Sequence, residues 1–211
     1  CYMQDLPEPS RVETAGGQQS RQAEIRTLND VPARYRNYPN FDELTNDPAH
    51  HGNKIGKIIR EAMAIAEADM SHKIKGPATR SDSPYIDFYD GEGYPFDVKT
   101  PLSPKPGDKW EFDPAGNAET ILNQLDKDHP NKQTGIKEPV AVLLDTTYMA
   151  PQDLVNLQRE LRKRTKENRG ILKRVFEINV RLDDERTESR APAGKQMTAV
   201  QAALLRQRAG R

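Results

Sequence analysis

The stretch Tyr85–Thr100, YIDFYDGEGYPFDVKT, decides the reading of this chain. Ile86, Phe88, Phe96 and Val98 alternate with Asp87, Asp97 and Lys99, the period-two signature of half-buried strands. Gly91-Glu92-Gly93 between them supplies the conformational freedom a tight turn needs. The segment therefore predicts a strand, a glycine turn and a second strand. Side chains two apart on a strand share a face. If Phe88 and Val98 face the core, Asp97 and Lys99 point together to the other side, where Asp87 can join them. Two carboxylates can hold a hard cation such as Mg²⁺ through oxygen. A lysine beside it can orient a water or neutralise charge on a phosphate.

Upstream, Ile55, Ile58, Ile59, Ala62, Ile65 and Ala66 recur at helical spacing, predicting a helix over residues 53–70 with Asn53 as N-cap. Glu61 and Glu67 fall on opposite flanks of its apolar stripe, and either can look around the helix edge toward the hairpin. Downstream, residues 101–116 form a Pro- and Gly-rich loop carrying Trp110 and Phe112. A helix over 117–128 follows, with Ile121, Leu122 and Leu125 inward. The unbroken apolar run Pro139–Thr146 predicts a strand buried on both faces. Pro151 opens a helix over 151–168 whose outer face and end carry Arg159, Arg162, Lys163, Arg164, Lys166 and Arg169. Residues 171–182 read as a last, half-exposed strand. This order gives an α/β (α+β) domain, a mixed central sheet flanked by helices.

The chain has 211 residues, 30 % charged and 35 % hydrophobic, with zero formal net charge. That neutrality is uneven: residues 1–52 carry 5 basic and 8 acidic side chains, residues 151–211 carry 15 and 8. A basic C-terminal third suits a polyanion partner. One cysteine, Cys1, leaves no disulfide within the chain. No segment reaches the apolar length of a membrane span, so no membrane partner is expected. Phosphate-binding glycine loops, dinucleotide fingerprints, Cys/His zinc spacings and nucleophile elbows are missing from the sequence. The pair His50-His51 precedes the first helix and reads as a surface pair near its cap. By composition the chain divides into an arm over 1–30, a domain over 31–182 and a charged tail over 183–211, with a short helix within 197–205.

Asp87, then Asp97-x-Lys99, behind a helix bearing a glutamate, resembles the PD-(D/E)xK nuclease superfamily, over roughly residues 53–182. The resemblance implies a restriction-endonuclease-like core and hydrolysis of phosphodiester bonds in DNA or tRNA. It makes Asp87, Asp97 and Glu61 the ligands of Mg²⁺ or Mn²⁺ and Lys99 the catalytic lysine. Glu67 is the rival for the helix acid. Asp82 and Asp90 are rivals for the first acid, because no proline directly precedes Asp87. It also places Gln124 where family members carry a polar side chain near the scissile phosphate. The basic residues Arg159, Arg162, Lys163, Lys166, Arg169 and Lys173 are then expected to grip the flanking backbone. Within the superfamily the chain resembles nuclease domains of bacterial polymorphic and contact-dependent growth inhibition toxins. That implies a toxin delivered to act in a cytoplasm, with an immunity protein as partner. The alternatives are a stand-alone restriction- or repair-type endonuclease and a non-catalytic nucleic-acid-binding protein with a degenerate nuclease fold.

Overall fold

In a computed structural model, residues 17–46 and 55–183 are described. Two one-turn helices, α1 (Ala33–Arg36) and α2 (Phe41–Leu44), precede the long α3 (Gly56–Met70). Strands β1 (Thr79–Arg80), β2 (Phe88–Tyr89) and β3 (Pro95–Lys99) follow, then α4 (Pro114–Leu125). A two-stranded ribbon of β4 (Asp128–Pro130) and β5 (Lys137–Pro139) leads into β6 (Ala141–Asp145). Helix α5 (Pro151–Arg164), a 3₁₀ segment (Arg169–Arg174) and β7 (Val175–Ile178) complete the domain.

The main sheet has the order β1-β2-β3-β6-β7. β1, β2 and β3 form an antiparallel meander, while β3, β6 and β7 run parallel. The architecture is α+β, a mixed five-stranded sheet with helices on both faces. β6 lies between β3 and β7 and is wholly buried, as its unbroken apolar sequence requires. Its residues sort by parity: Ala141 and Leu143 pack toward α3, Val142 and Leu144 toward α4 and α5. On the first face α3 buries Ile59, Met63, Ile65 and Ala66 against Tyr35, Phe88, Phe96 and Val98. On the second, Ile121 and Leu125 of α4 meet Leu154, Leu157 and Leu161 of α5.

The elements depart from their sequence-based bounds for local reasons. The hairpin strands are shorter than expected: only Phe88–Tyr89 pair with Pro95–Phe96. α4 starts before Asn117, because Pro114 takes the first helical position and Asp113 accepts the Gly116 N–H at 3.0 Å as cap. α5 stops at Arg164, and residues 169–174 wind as 3₁₀ helix, so the last strand begins only at Val175. Residues 17–30, assigned above to an arm, pack on the domain. Ile25 is buried in the α3 cluster, and the Gly17 N–H donates to the Met149 carbonyl at 2.8 Å. Asn53, the His50-His51 pair, Cys1 and the segment 184–211 lie outside the described residues.

Candidate active site

Phe96 and Val98 enter the core under α3, so Asp97 and Lys99 of the same strand turn to the opposite face. Phe88 does the same on β2 and leaves Asp87 beside them. Just past β3 the chain breaks into the loop after Thr100, and between that loop, α3 and α4 lies a cleft of about 340 Å³. Glu61, Asp87, Asp97 and Lys99 all line it, together with Lys57 and Arg60 of α3 and Asn117, Thr120 and Ile121 of α4.

The charges are tightly arranged. Lys99 Nζ lies 2.8 Å from Asp97 Oδ2, as two residues sharing a strand face allow. That oxygen is buried, so the ammonium beside it is its close counter-charge. Asp87, which the sequence placed on the first hairpin strand, stands one residue before β2, and its Oδ2 accepts the Val98 N–H at 2.7 Å, tying that entry to the β3 backbone. Arg80, at the end of β1, lies 3.6 Å from Glu61 Oε2 and 4.0 Å from Asp87 Oδ1, bridging α3 and the meander. Burial pushes the Asp97 carboxyl up to about 7; the neighbouring Asp87 carboxylate adds to this and Lys99 opposes it. Behind the cleft, Asp145 is fully buried at the end of β6, pushed up to about 6 by burial despite hydrogen bonds from the Thr147 N–H and hydroxyl. Arg60 connects the two regions: it acts on Asp145 and lies with its guanidinium carbon 5.9 Å from the Tyr148 ring centre.

The rivals of these residues sit elsewhere. Glu67 is buried on another face of α3, where it accepts the Tyr35 hydroxyl at 2.9 Å and approaches Arg34 at 3.9 Å. Asp82 is exposed and outside the cleft. Asp90 shapes the hairpin turn by accepting the N–H groups of Glu92 and Tyr94, each at 2.9 Å. Gln124 is half-buried on α4, one turn past Thr120, and does not line the cleft; its Oε1 is without a hydrogen-bond partner.

None of Arg159, Arg162, Lys163, Lys166, Arg169 and Lys173 lines the cleft either. The chain enters α5 next to the cleft wall, where the Ala150 N–H donates to Ser103 Oγ at 2.7 Å. The helix then runs back to reach Val175, which pairs with Val142 near the start of β6. Its length of about 21 Å carries the basic end toward the opposite end of the strands. Sequence reasoning missed Arg80, Arg60 and Lys57. Arg80 lies in a two-residue strand within a polar stretch, which gives no periodicity to read. Lys57 and Arg60 carried a usable signal, standing four and one residues before Glu61 on the same helix.

Among the described residues no group of three His, Cys, Asp or Glu side chains is spaced to chelate an ion as it stands, and Arg80 is the counter-charge beside Glu61 and Asp87. The donor set still fits a hard divalent cation. Asp87 and Asp97 are crowded like charges that line one cleft, and carboxylate oxygens are the ligands such a cation takes. No family model, no curated protein and no solved structure matches this chain.

Proposed function

We infer that the cleft is the active site of a metal-dependent nuclease that hydrolyses phosphodiester bonds in DNA or tRNA. The observation that carries this reading is convergence: an acid of α3, an acid just before β2, and an acid and a lysine of β3 line one cleft. The element order around it, a helix, an antiparallel meander, a helix and a parallel strand, supports the resemblance drawn from the sequence. Asp87 and Asp97, with Glu61, would hold Mg²⁺ or Mn²⁺. Such an ion supplies Lewis acidity, lowering the pKa of bound water and drawing charge from the phosphate. Lys99, anchored at 2.8 Å by Asp97, orients the attacking water and offsets charge on the non-bridging oxygens. The Val98 N–H fixes the Asp87 carboxylate, so one acid is positioned before substrate arrives. The toxin-domain version, with its immunity partner, rests on the sequence resemblance alone.

The test is incubation of the chain with plasmid DNA and with total tRNA, in Mg²⁺, Mn²⁺ or EDTA, beside Asp97→Ala and Lys99→Ala. Metal-dependent cleavage lost in both variants is the expected result. Folded protein that leaves both polymers intact overturns the catalytic reading. One observation favours a second reading, a non-catalytic nucleic-acid-binding protein. Arg80 and Lys99 already neutralise the acids, so the charge cluster is close to balanced without a metal.

A further inference from the structure

Resting on the nuclease reading, we propose that Lys57 and Arg60, at the first turns of α3, form a phosphate-binding subsite of the cleft, and that a nucleic-acid backbone is gripped there rather than on the basic end of α5.

The cleft is divided by charge. Glu61, Asp87 and Asp97 face each other around the end of β3, while Lys57 and Arg60 stand on the N-terminal part of α3. Lys57, Arg60 and Glu61 are spaced i, i+3 and i+4, so they share one helix face. Cations at that end of a helix work against its dipole, which favours acids there. The first turn of α3 has no acidic residue and no side-chain cap. The helix therefore concentrates positive potential on one cleft wall at a cost to its own stability, which an anion would offset.

Arg60 is also positioned. Gly56, four residues earlier, lacks the side chain that would crowd it: a Cβ there would come within 3.2 Å of Arg60 Nη1 and 2.6 Å of the Ile25 carbonyl oxygen. The Arg60 guanidinium carbon lies 5.9 Å from the Tyr148 ring centre, and its residue lines the cleft. Lys57 is exposed and free to swing to a second oxygen. The acidic half suits a cation, and the basic half suits an anion. A phosphate with its counter-metal satisfies both. The cationic end of α5 is roughly one helix length, about 20 Å, from the cleft entrance of that helix. A phosphate held there is several nucleotides from the reacting bond.

The experiment measures fluorescence anisotropy of a labelled DNA duplex and a labelled RNA hairpin with Asp97→Asn protein, which retains polymer uncut, across a salt series. Lys57→Ala and Arg60→Ala are added in turn, and Lys163→Ala/Lys166→Ala is made in parallel. Each α3 substitution is expected to weaken binding about tenfold and to reduce the salt slope by about one. The α5 pair is expected to leave affinity within about twofold, since surface charges remote from the ligand are screened. Lys57→Ala is exposed and Arg60→Lys keeps the charge, so a folding failure of Arg60→Ala leaves the test intact. Affinity lost with the α5 pair and retained with the α3 variants overturns the proposal. So does the absence of binding to either polymer. Separate cleavage assays of otherwise wild-type protein distinguish the two readings. Polymer bound through Lys57 and Arg60 but never cut sinks catalysis alone. Cleavage with no effect of the α3 variants on binding sinks the subsite alone.

Discussion

At the scale of single residues, the two buried glutamates of α3 make the sharpest contrast. Glu61 lines the cleft beside Arg80, and Glu67 serves as acceptor for Tyr35. Glu61→Gln is expected to reduce cleavage by about 10²-fold or more, and Glu67→Gln by no more than a few-fold, in a plasmid or tRNA assay. Equal loss in both would remove Glu61 from the site. Asp97 gives a pH prediction. Its folded pKa of about 7 lies above the ordinary carboxylate value, so between about pH 4 and 7 the native state binds more protons than the unfolded chain. Stability from this group is full below that window and falls as pH rises through it. Asp145, pushed up to about 6, acts in the same direction. Asp97→Asn should therefore melt higher than the wild type at pH 8, with a shallower decline from pH 4 to 8. A wild-type melting temperature that rises over that range contradicts the assignment.

Arg80 yields a coupled test of metal fit. Buried, it neutralises Glu61 and Asp87 from β1. Arg80→Met leaves those carboxylates facing one another and is expected to cost about 3–5 kcal/mol in urea unfolding. Mg²⁺ should then raise the melting temperature of the variant more than that of the wild type, because a bound cation replaces the missing charge. No response to Mg²⁺ in either protein would argue against a metal at these acids.

At the scale of elements, the hairpin turn and the β4–β5 ribbon stabilise each other. Gly93 sits at φ +79°, and a Cβ there would approach Asn131 Oδ1 to 2.5 Å and the Gln133 nitrogen to 2.9 Å. Asn131 Nδ2 donates to the Glu92 carbonyl at 3.2 Å and to Glu138 at 2.9 Å, tying ribbon to turn. Gly93→Ala combines backbone strain with this clash and is expected to cost about 1–3 kcal/mol, read as a lowered urea midpoint. Because β2 holds only two residues, the loss should reach Asp87 and reduce activity as well. A variant as stable as wild type would show the ribbon yielding without strain. The acids themselves were legible at this scale. Alternation of Phe88, Phe96 and Val98 with Asp87, Asp97 and Lys99 is local, and period two fixes the common face. Arg80 was not legible, since a two-residue strand between polar segments has no pattern of its own.

At the scale of the whole molecule, distant segments close over α3. The Tyr35 hydroxyl donates to Glu67 at 2.9 Å and accepts the Arg181 N–H at 2.7 Å, joining residues 146 positions apart. Tyr35→Phe leaves the buried Glu67 carboxylate and the Arg181 N–H short of a partner and is expected to cost about 1–3 kcal/mol, with cleavage little changed at temperatures where the variant is folded. Thermal melts beside activity assays check both parts. Among the described residues no helix is long and apolar enough to cross a membrane.

Chemistry encoded within a few residues was set by the sequence itself: the acid face of the hairpin, the doubly buried β6 and the helix start at Pro151. Hydrophobic period and capping are near-neighbour effects. Tertiary structure decided what depends on direction and distance. It selected Glu61 over Glu67 as the helix acid lining the cleft, because six residues of helix turn their side chains to different faces. It brought Arg80 between two acids from other elements. It also sent the cations of α5 away from the cleft, because a helix linking parallel strands must travel back along the whole sheet before the next strand begins.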